Sequence, residues 1–127
     1  MSFVNAFETT VLQWSLTTGS VTRPTTWYVG LFTSDPTDTG AAGNEVSGGS
    51  YARTAVTFSV TGDTASNTAA VEFPAATATW GSVTHIGVHD ASSGGNMLVH
   101  AALSTAKTIA DGDVFRIPTG DLDITLD

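Results

Sequence analysis

The first eighteen residues and the rest of the chain follow different hydrophobic periods. Phe3, Val4, Phe7, Val11, Trp14 and Leu16 recur at spacings of three and four, which places them on one face of an amphipathic helix over residues 2–18. Ser2 is the candidate cap at its start and Gly19 the candidate stop at its end. Thr9, Thr10, Thr17 and Thr18 are mediocre helix formers. Glu8 is the only charge in this stretch, so the helix is expected to lie against the sheet or another subunit rather than stand alone in water.

After Pro24 the period falls to two. In WYVGLF, Trp27, Val29 and Leu31 share one face while Tyr28 and Phe32 share the other, which predicts a strand covered on both sides. The segment from Ser34 to Ser50 consists largely of turn residues and reads as a long loop, a kind that tends to be functional or mobile. In YARTAVTFSV the inward positions are Ala52, Val56 and Phe58; in AAVEFP they are Ala69, Val71 and Phe73, with Glu72 facing water. VTHIGVHDASSGGNMLVHAAL reads as two strands joined by a turn at Ser92–Asn96, and KTIADGDVFRIP as a hairpin about Asp111–Gly112. In the closing GDLDITLD, Leu122, Ile124 and Leu126 point inward, and Asp121, Asp123, Thr125 and Asp127 point outward. Seven or eight short strands follow from this pattern. The expected fold is mainly β: one antiparallel β-sandwich domain, jelly-roll-like, over residues 1–127, with the N-terminal helix at 2–18 and the sandwich at 26–127.

Composition narrows the function classes. The 127 residues suit one domain, and no apolar run is long enough to cross a bilayer as a helix. The N-terminus lacks the basic start and apolar block of a signal peptide, and synthesis in a cytosol is the simplest assumption. Cysteine is absent, which excludes disulfides and thiolate chemistry. Four basic residues against twelve acidic ones give a formal charge of −8. Arg23, Arg53, Lys107 and Arg116 are scattered rather than clustered. No nucleic-acid partner is therefore expected, because phosphate binding needs a basic footprint. No membrane partner is expected either.

Catalytic and metal chemistry find little support. His85 and His89 lie four apart, which on a strand separates them by about 13 Å, too far for one ion. His100 falls opposite Ile86 or Gly87 on the next strand. Asp111 with Asp113, and Asp121 with Asp123, could supply oxygen ligands or an acid–base pair. The Asp-Gly turn and the solvent side of a strand account for both pairs without function. There is no G-x-S-x-G elbow, and GNEVSGGSYARTAV lacks the lysine of a phosphate loop and runs into a strand. Trp27, Tyr28 and Trp80 could stack on a sugar, but Trp27 and Tyr28 face opposite ways and core packing suits them better. The expectation is a protein that is not an enzyme, with no cofactor and no metal.

Four stretches carry a family resemblance: WYVGLFTSDPTDTG, EVSGGSYARTAVTFS, SNTAAVEFPAATATWGSVTHIGVHDASSGGNMLVHAALSTAKTIADGDVF and GDLDITLD. Their most distinctive parts are Glu45 to Arg53, Trp80-Gly81 with Thr84-His85, and Gly120-Asp121-Leu122. Most of the chain from Trp27 to Asp127, with the N-terminal helix as a looser match, resembles a family of small tailed-bacteriophage proteins commonly labelled phage tail fibre proteins. The resemblance implies a structural protein of the virion, made in the bacterial host cytoplasm. The chain shows no heptads or β-helix repeat from which to build a shaft, so a compact knob is expected. The leading expectation is a capsid cement or decoration protein, a homotrimer on the outer capsid surface bound to the major capsid protein. The alternative is a tail fibre or tail-tip component that binds other tail proteins and takes part in host attachment, with glycan binding as one form of it. Phe3, Phe7, Glu45, Tyr51 and Arg53 are the candidate contact residues. Arg53 could pair with a carboxylate of its own chain or of a neighbour.

Overall fold

A computed structural model describes residues 1–41 and 43–126. The outward position expected for Asp127 lies outside the described residues. The fold is mainly β, with several antiparallel sheets and one helix, an arrangement consistent with a β-sandwich. The largest sheet has five strands in the order β1-β8-β7-β2-β3. These are β1 (Ser2–Phe3), β2 (Trp27–Phe32), β3 (Thr54–Val56), β7 (Gly81–His89) and β8 (Met97–Ile109). A three-stranded sheet joins β4 (Phe58–Thr61), β5 (Thr64–Asn67) and β10 (Asp123–Thr125) in the order β10-β5-β4. A short ribbon pairs β6 (Val71–Glu72) with β9 (Arg116–Ile117).

The N-terminal helix is shorter than the pattern predicted. Helix α1 runs Asn5–Leu16, with Val4 as its N-cap and no side-chain cap bond. Ser2 does not cap it; Ser2 and Phe3 instead extend the sheet, opposite His100 and Val99. The first residues thus satisfy their backbone groups on the edge of β8 rather than in a helical turn. At the other end the Thr17 side chain closes the helix. Its hydroxyl donates to the Gln13 carbonyl at 2.6 Å and accepts from the Gly19 N–H at 3.1 Å.

The β2, β7–β8 hairpin and the 92–96 turn lie where the period-two pattern puts them. Gly87 sits opposite His100 in the β7–β8 register. The predicted hairpin at Asp111–Gly112 does not form. Gly112, at φ +89°, turns the chain, but β9 then pairs with β6, where Val71 faces Ile117. Phe73 N–H donates to the Phe115 carbonyl and Ala76 N–H to the Asp113 carbonyl, extending that ribbon. Inward positions also need correction. Ala52 and Ala69 are exposed, Phe58 and Ile124 are only partly buried, and Leu126 is exposed. The strand expected from Tyr51 breaks at Thr57 into β3 and β4, which belong to different sheets, so one alternation cannot hold across it.

The main core lies between one face of the five-stranded sheet and the β6–β9 ribbon. Val29, Leu31, Val83 and Ile86 from the sheet meet Val71, Phe73, Phe115 and Ile117. Val88, Leu98 and Val99 form a smaller cluster with Phe3, Trp27, Phe58 and Ile124. Buried Asn67 ties the layers together. Its side-chain N–H groups donate to the carbonyls of Ala69 (2.8 Å) and Pro118 (3.0 Å), and its oxygen accepts from Leu122 N–H at 2.9 Å.

Candidate functional site

Two groups of residues stand apart from ordinary core packing: a polar clamp at one sheet edge, and an apolar groove beside α1. The clamp begins where β2 outruns β3, which covers only Trp27–Val29. The backbone beyond would present unpaired groups. The returning loop fills the gap: Val46 N–H donates to the Leu31 carbonyl at 2.9 Å, and Thr33 N–H to the Asn44 carbonyl at 3.0 Å. Leu31 N–H donates to the Tyr51 hydroxyl at 3.0 Å, so a phenol stands in for a missing ladder bond.

The Tyr51 hydroxyl in turn donates to Glu45 Oε2 at 2.6 Å. Arg53 grips the same carboxylate with two prongs, Nε to Oε2 and Nη2 to Oε1, each at 2.8 Å. Its Nη1 donates to the carbonyls of Ala91 (3.0 Å) and Gly94 (2.8 Å). One guanidinium therefore holds the 44–46 segment to the β7–β8 turn. The geometry is the planar fork that suits a carboxylate, which a lysine cannot reproduce. Burial alone would raise the Glu45 carboxyl, but hydrogen bonds from Arg53 and Tyr51 outweigh it and hold the group below its usual range. Burial and then the Glu45 hydrogen bond push the Tyr51 hydroxyl far above its usual value.

The GNEVSGGSYARTAV stretch folds this way because Gly48, Gly49 and Ser50 take left-handed φ values of 76°, 55° and 65° in succession. A Cβ on Gly49 would come within 3.0 Å of the Ala78 carbonyl oxygen and Trp80 Nε1, so only glycine fits. The turn is held by Tyr51 N–H on the Gly48 carbonyl, and by Trp80 Nε1 donating to the Gly49 carbonyl at 2.9 Å. Its effect is to fold Tyr51 and Arg53 back onto Glu45.

His89 lies beneath the clamp. It is buried and stacked on Phe32 at 5.8 Å between ring centroids, and among the described residues neither ring nitrogen has a hydrogen-bond partner. Burial, and then the charge of Arg53, lower its pKa to about 4. Gly30 and Gly87 make room for this stack: a Cβ on Gly30 would lie 2.9 Å from Glu45 Oε2 and 3.0 Å from His89 Cε1. His100 behaves differently, with Nε2 at 2.9 Å from Asp38 Oδ1. Among the described residues no group of three or more His, Asp or Glu side chains is placed to hold a metal ion.

The second group is a groove of about 520 Å³ between α1, β1 and the approach to β2. Its walls include Phe3, Phe7, Val11, Trp14, Trp27 and Leu126, with Arg23 also lining it. Phe3 and Phe7 pack ring to ring at 5.0 Å. The five candidate contact residues thus separate by place. Phe3 and Phe7 line the groove, whereas Glu45, Tyr51 and Arg53 form the clamp and satisfy one another within the chain. Trp80 is buried in the main core and Trp27, partly buried, packs against it. The sequence reading missed Arg23 and Leu126. No local signal marks them, because the fold brings them to the groove from segments about a hundred residues apart.

A family model described as Podophage GP4 fiber I protein gp80 matches residues 2–125. The chain belongs to that family. The match spans the clamp, most of the groove and the N-terminal helix, which the sequence resemblance covered only loosely. It identifies a fibre-type phage virion family. No curated protein matches the chain.

Proposed function

We propose that this protein is a non-enzymatic structural component of a podophage tail fibre, acting through protein–protein contacts. The observation that carries the reading is the family match over nearly the whole chain, to a description that names a fibre. That description supports the tail over the capsid surface, so the fibre reading stands ahead of capsid cement. The fold supports a compact part rather than a shaft, since residues from the five-stranded sheet and the β6–β9 ribbon close on one common core. Many modest contacts from repeated copies would then sum to firm attachment. Other tail proteins are the proposed partners, and host attachment is the proposed setting.

Immunogold labelling of intact virions, with copy number from quantitative mass spectrometry, tests this. Label confined to the tail and few copies per particle are expected. Label spread over the head with many copies would return the protein to the capsid surface. A specific hit for the isolated protein on a glycan array would add receptor binding to its role.

A further inference from the structure

The strand registers gather the three histidines on one face of the five-stranded sheet. His85 lies opposite Phe32, His89 opposite Tyr28 and His100 opposite Gly87, all at positions of one parity. Residues 44–47 cross the His89 end of that face. Glu45 Oε2 and His89 Cε1 meet over Gly30, at 2.9 and 3.0 Å from where a Cβ would stand. Among the described residues, a Cβ on Gly43 or Gly48 would meet nothing within 4 Å. Both ends of the crossing segment therefore lie in open space and keep glycine's backbone freedom. Four attachments hold the segment down. Two are backbone bonds, Val46 N–H to the Leu31 carbonyl and Thr33 N–H to the Asn44 carbonyl. The third is the Val46 side chain in the main core, and the fourth is the grip of Arg53 and Tyr51 on Glu45.

A proton on His89 finds no place while this segment is down. The ring is buried, and neither nitrogen has a partner among the described residues. Glu45, the carboxylate above it, is fully engaged: Oε2 accepts from the Tyr51 hydroxyl and Arg53 Nε, and Oε1 accepts from Arg53 Nη2. His85 is bonded to Thr84, and His100 faces Asp38 and Asp35. Burial and then the charge of Arg53 oppose the proton, while Glu45, the Tyr28 carbonyl and Asp90 favour it and are outweighed. Burial, the largest of these causes, is the one that lifting the segment removes. We propose that residues 44–47 form an acid-released strap, which lifts about Gly43 and Gly48 to let water reach a protonated His89. Lifting parts Glu45 from Arg53 and bares the β2 edge at Leu31 and Thr33. The seat of Val46 in the core keeps the closed form dominant at neutral pH. The inference goes beyond the fibre reading and needs none of it.

The sign follows from the two states of the ring. His89 titrates at about 4 with the strap closed and towards its ordinary 6.5 with the strap open. The closed form is therefore fully favoured above about pH 6.5 and loses ground as pH falls towards 4. Glu45, held below 4.5, adds to the release only at lower pH. The test is native-state hydrogen exchange on the full chain, in urea below the unfolding transition and corrected for intrinsic rates. The amides of Thr33 and Val46 report the strap, and those of Val88 and Val99 the whole sheet. Strap amides are expected to be less protected than sheet amides and insensitive to urea, the mark of a local opening. Their protection should fall on the order of tenfold between about pH 7 and about pH 5. His89→Phe, which keeps a ring against Phe32, is expected to abolish that fall. Strap amides that share the urea dependence of Val99 overturn the proposal, because the strap then opens only with the whole fold. A fall that begins only below about pH 4.5 overturns it in favour of the carboxylates, and so does a fall that His89→Phe leaves unchanged. The urea and pH readings need wild type alone, so they decide even where the variant does not fold. Virion labelling tests the fibre reading separately, so either can fail without the other.

Discussion

Arg53 and Glu45 form a two-pronged ion pair across the Gly48–Gly49–Ser50 turn, with both N···O distances at 2.8 Å. The side chains are only 6% and 15% exposed. The pair closes an eight-residue excursion and, through the Ala91 and Gly94 carbonyls, joins it to the β7–β8 turn.

Removing one partner leaves the other charge buried. Arg53→Ala is expected to cost about 3–5 kcal/mol, read as a fall in urea midpoint and a melting temperature lower by roughly 10 °C or more. Arg53→Lys keeps the charge but not the fork, and should recover only part of the loss. A surface ion pair such as Arg116–Glu72, at 3.9 Å and about half exposed, makes the control. Its truncation should cost under about 1 kcal/mol.

His89 gives the fold a mild-acid weakness. Its ring is neutral and buried with a folded pKa of about 4, against an ordinary 6.5. Between those values the unfolded chain takes up a proton that the folded chain refuses. The stability tied to the neutral ring is therefore complete above about pH 6.5 and is lost as pH falls towards 4. The loss is at most about 3 kcal/mol. Glu45, whose folded pKa lies below 4.5, contributes stability present above that value and lost only at lower pH. Urea unfolding at about pH 7 and about pH 5 should show the decline in wild type, and His89→Phe should flatten it.

The two small residues under the Phe32–His89 stack are expected to differ in tolerance. Alanine at Gly30 would press on Glu45 Oε2 at 2.9 Å, an atom already fixed by Arg53 and Tyr51. Alanine at Gly87 would press on Met97 Cε at 2.9 Å, the free end of a flexible side chain. Gly30→Ala should destabilise by about 1–3 kcal/mol and Gly87→Ala by less, as measured by chemical denaturation.

Asn67→Ala is expected to cost about 3 kcal/mol, because it strands the Ala69 and Pro118 carbonyls and the Leu122 N–H at once. Hydrogen exchange should accelerate together around residues 67–70 and 118–122. If only one of these segments responded, Asn67 would not be the staple between them.

The clamp and the ribbon show how far local pattern reaches. Trp27 to Phe32, and the paired strands around Ser92–Asn96, were legible because their alternation and turn residues agree over a continuous stretch. The Gly48–Gly49 pair signalled a turn, and Glu45, Tyr51 and Arg53 stood out as chemistry-bearing residues in an otherwise small and neutral segment. Their mutual pairing was not legible, because it depends on three successive left-handed residues and on carbonyls some forty positions away. The Asp111–Gly112 signal misled for the same reason. A turn sequence specifies that the chain reverses, and the partner strand is chosen by where Phe73 and Phe115 can share a core.

By itself the sequence determined the β class, the helical start, the acidic and cysteine-free character of the chain, and the family it resembles. Periodicity, composition and short motifs are local properties, and each of these follows from them. Only the tertiary structure decided that Ser2 and Phe3 join the sheet, that β6 takes β9 as its partner, and that His89 lies unpartnered beneath an internal ion pair. It also decided that Phe3, Trp14, Arg23 and Leu126 share one groove. Those arrangements come from which distant surfaces leave water together, and burial of that kind belongs to the whole chain rather than to any window of it.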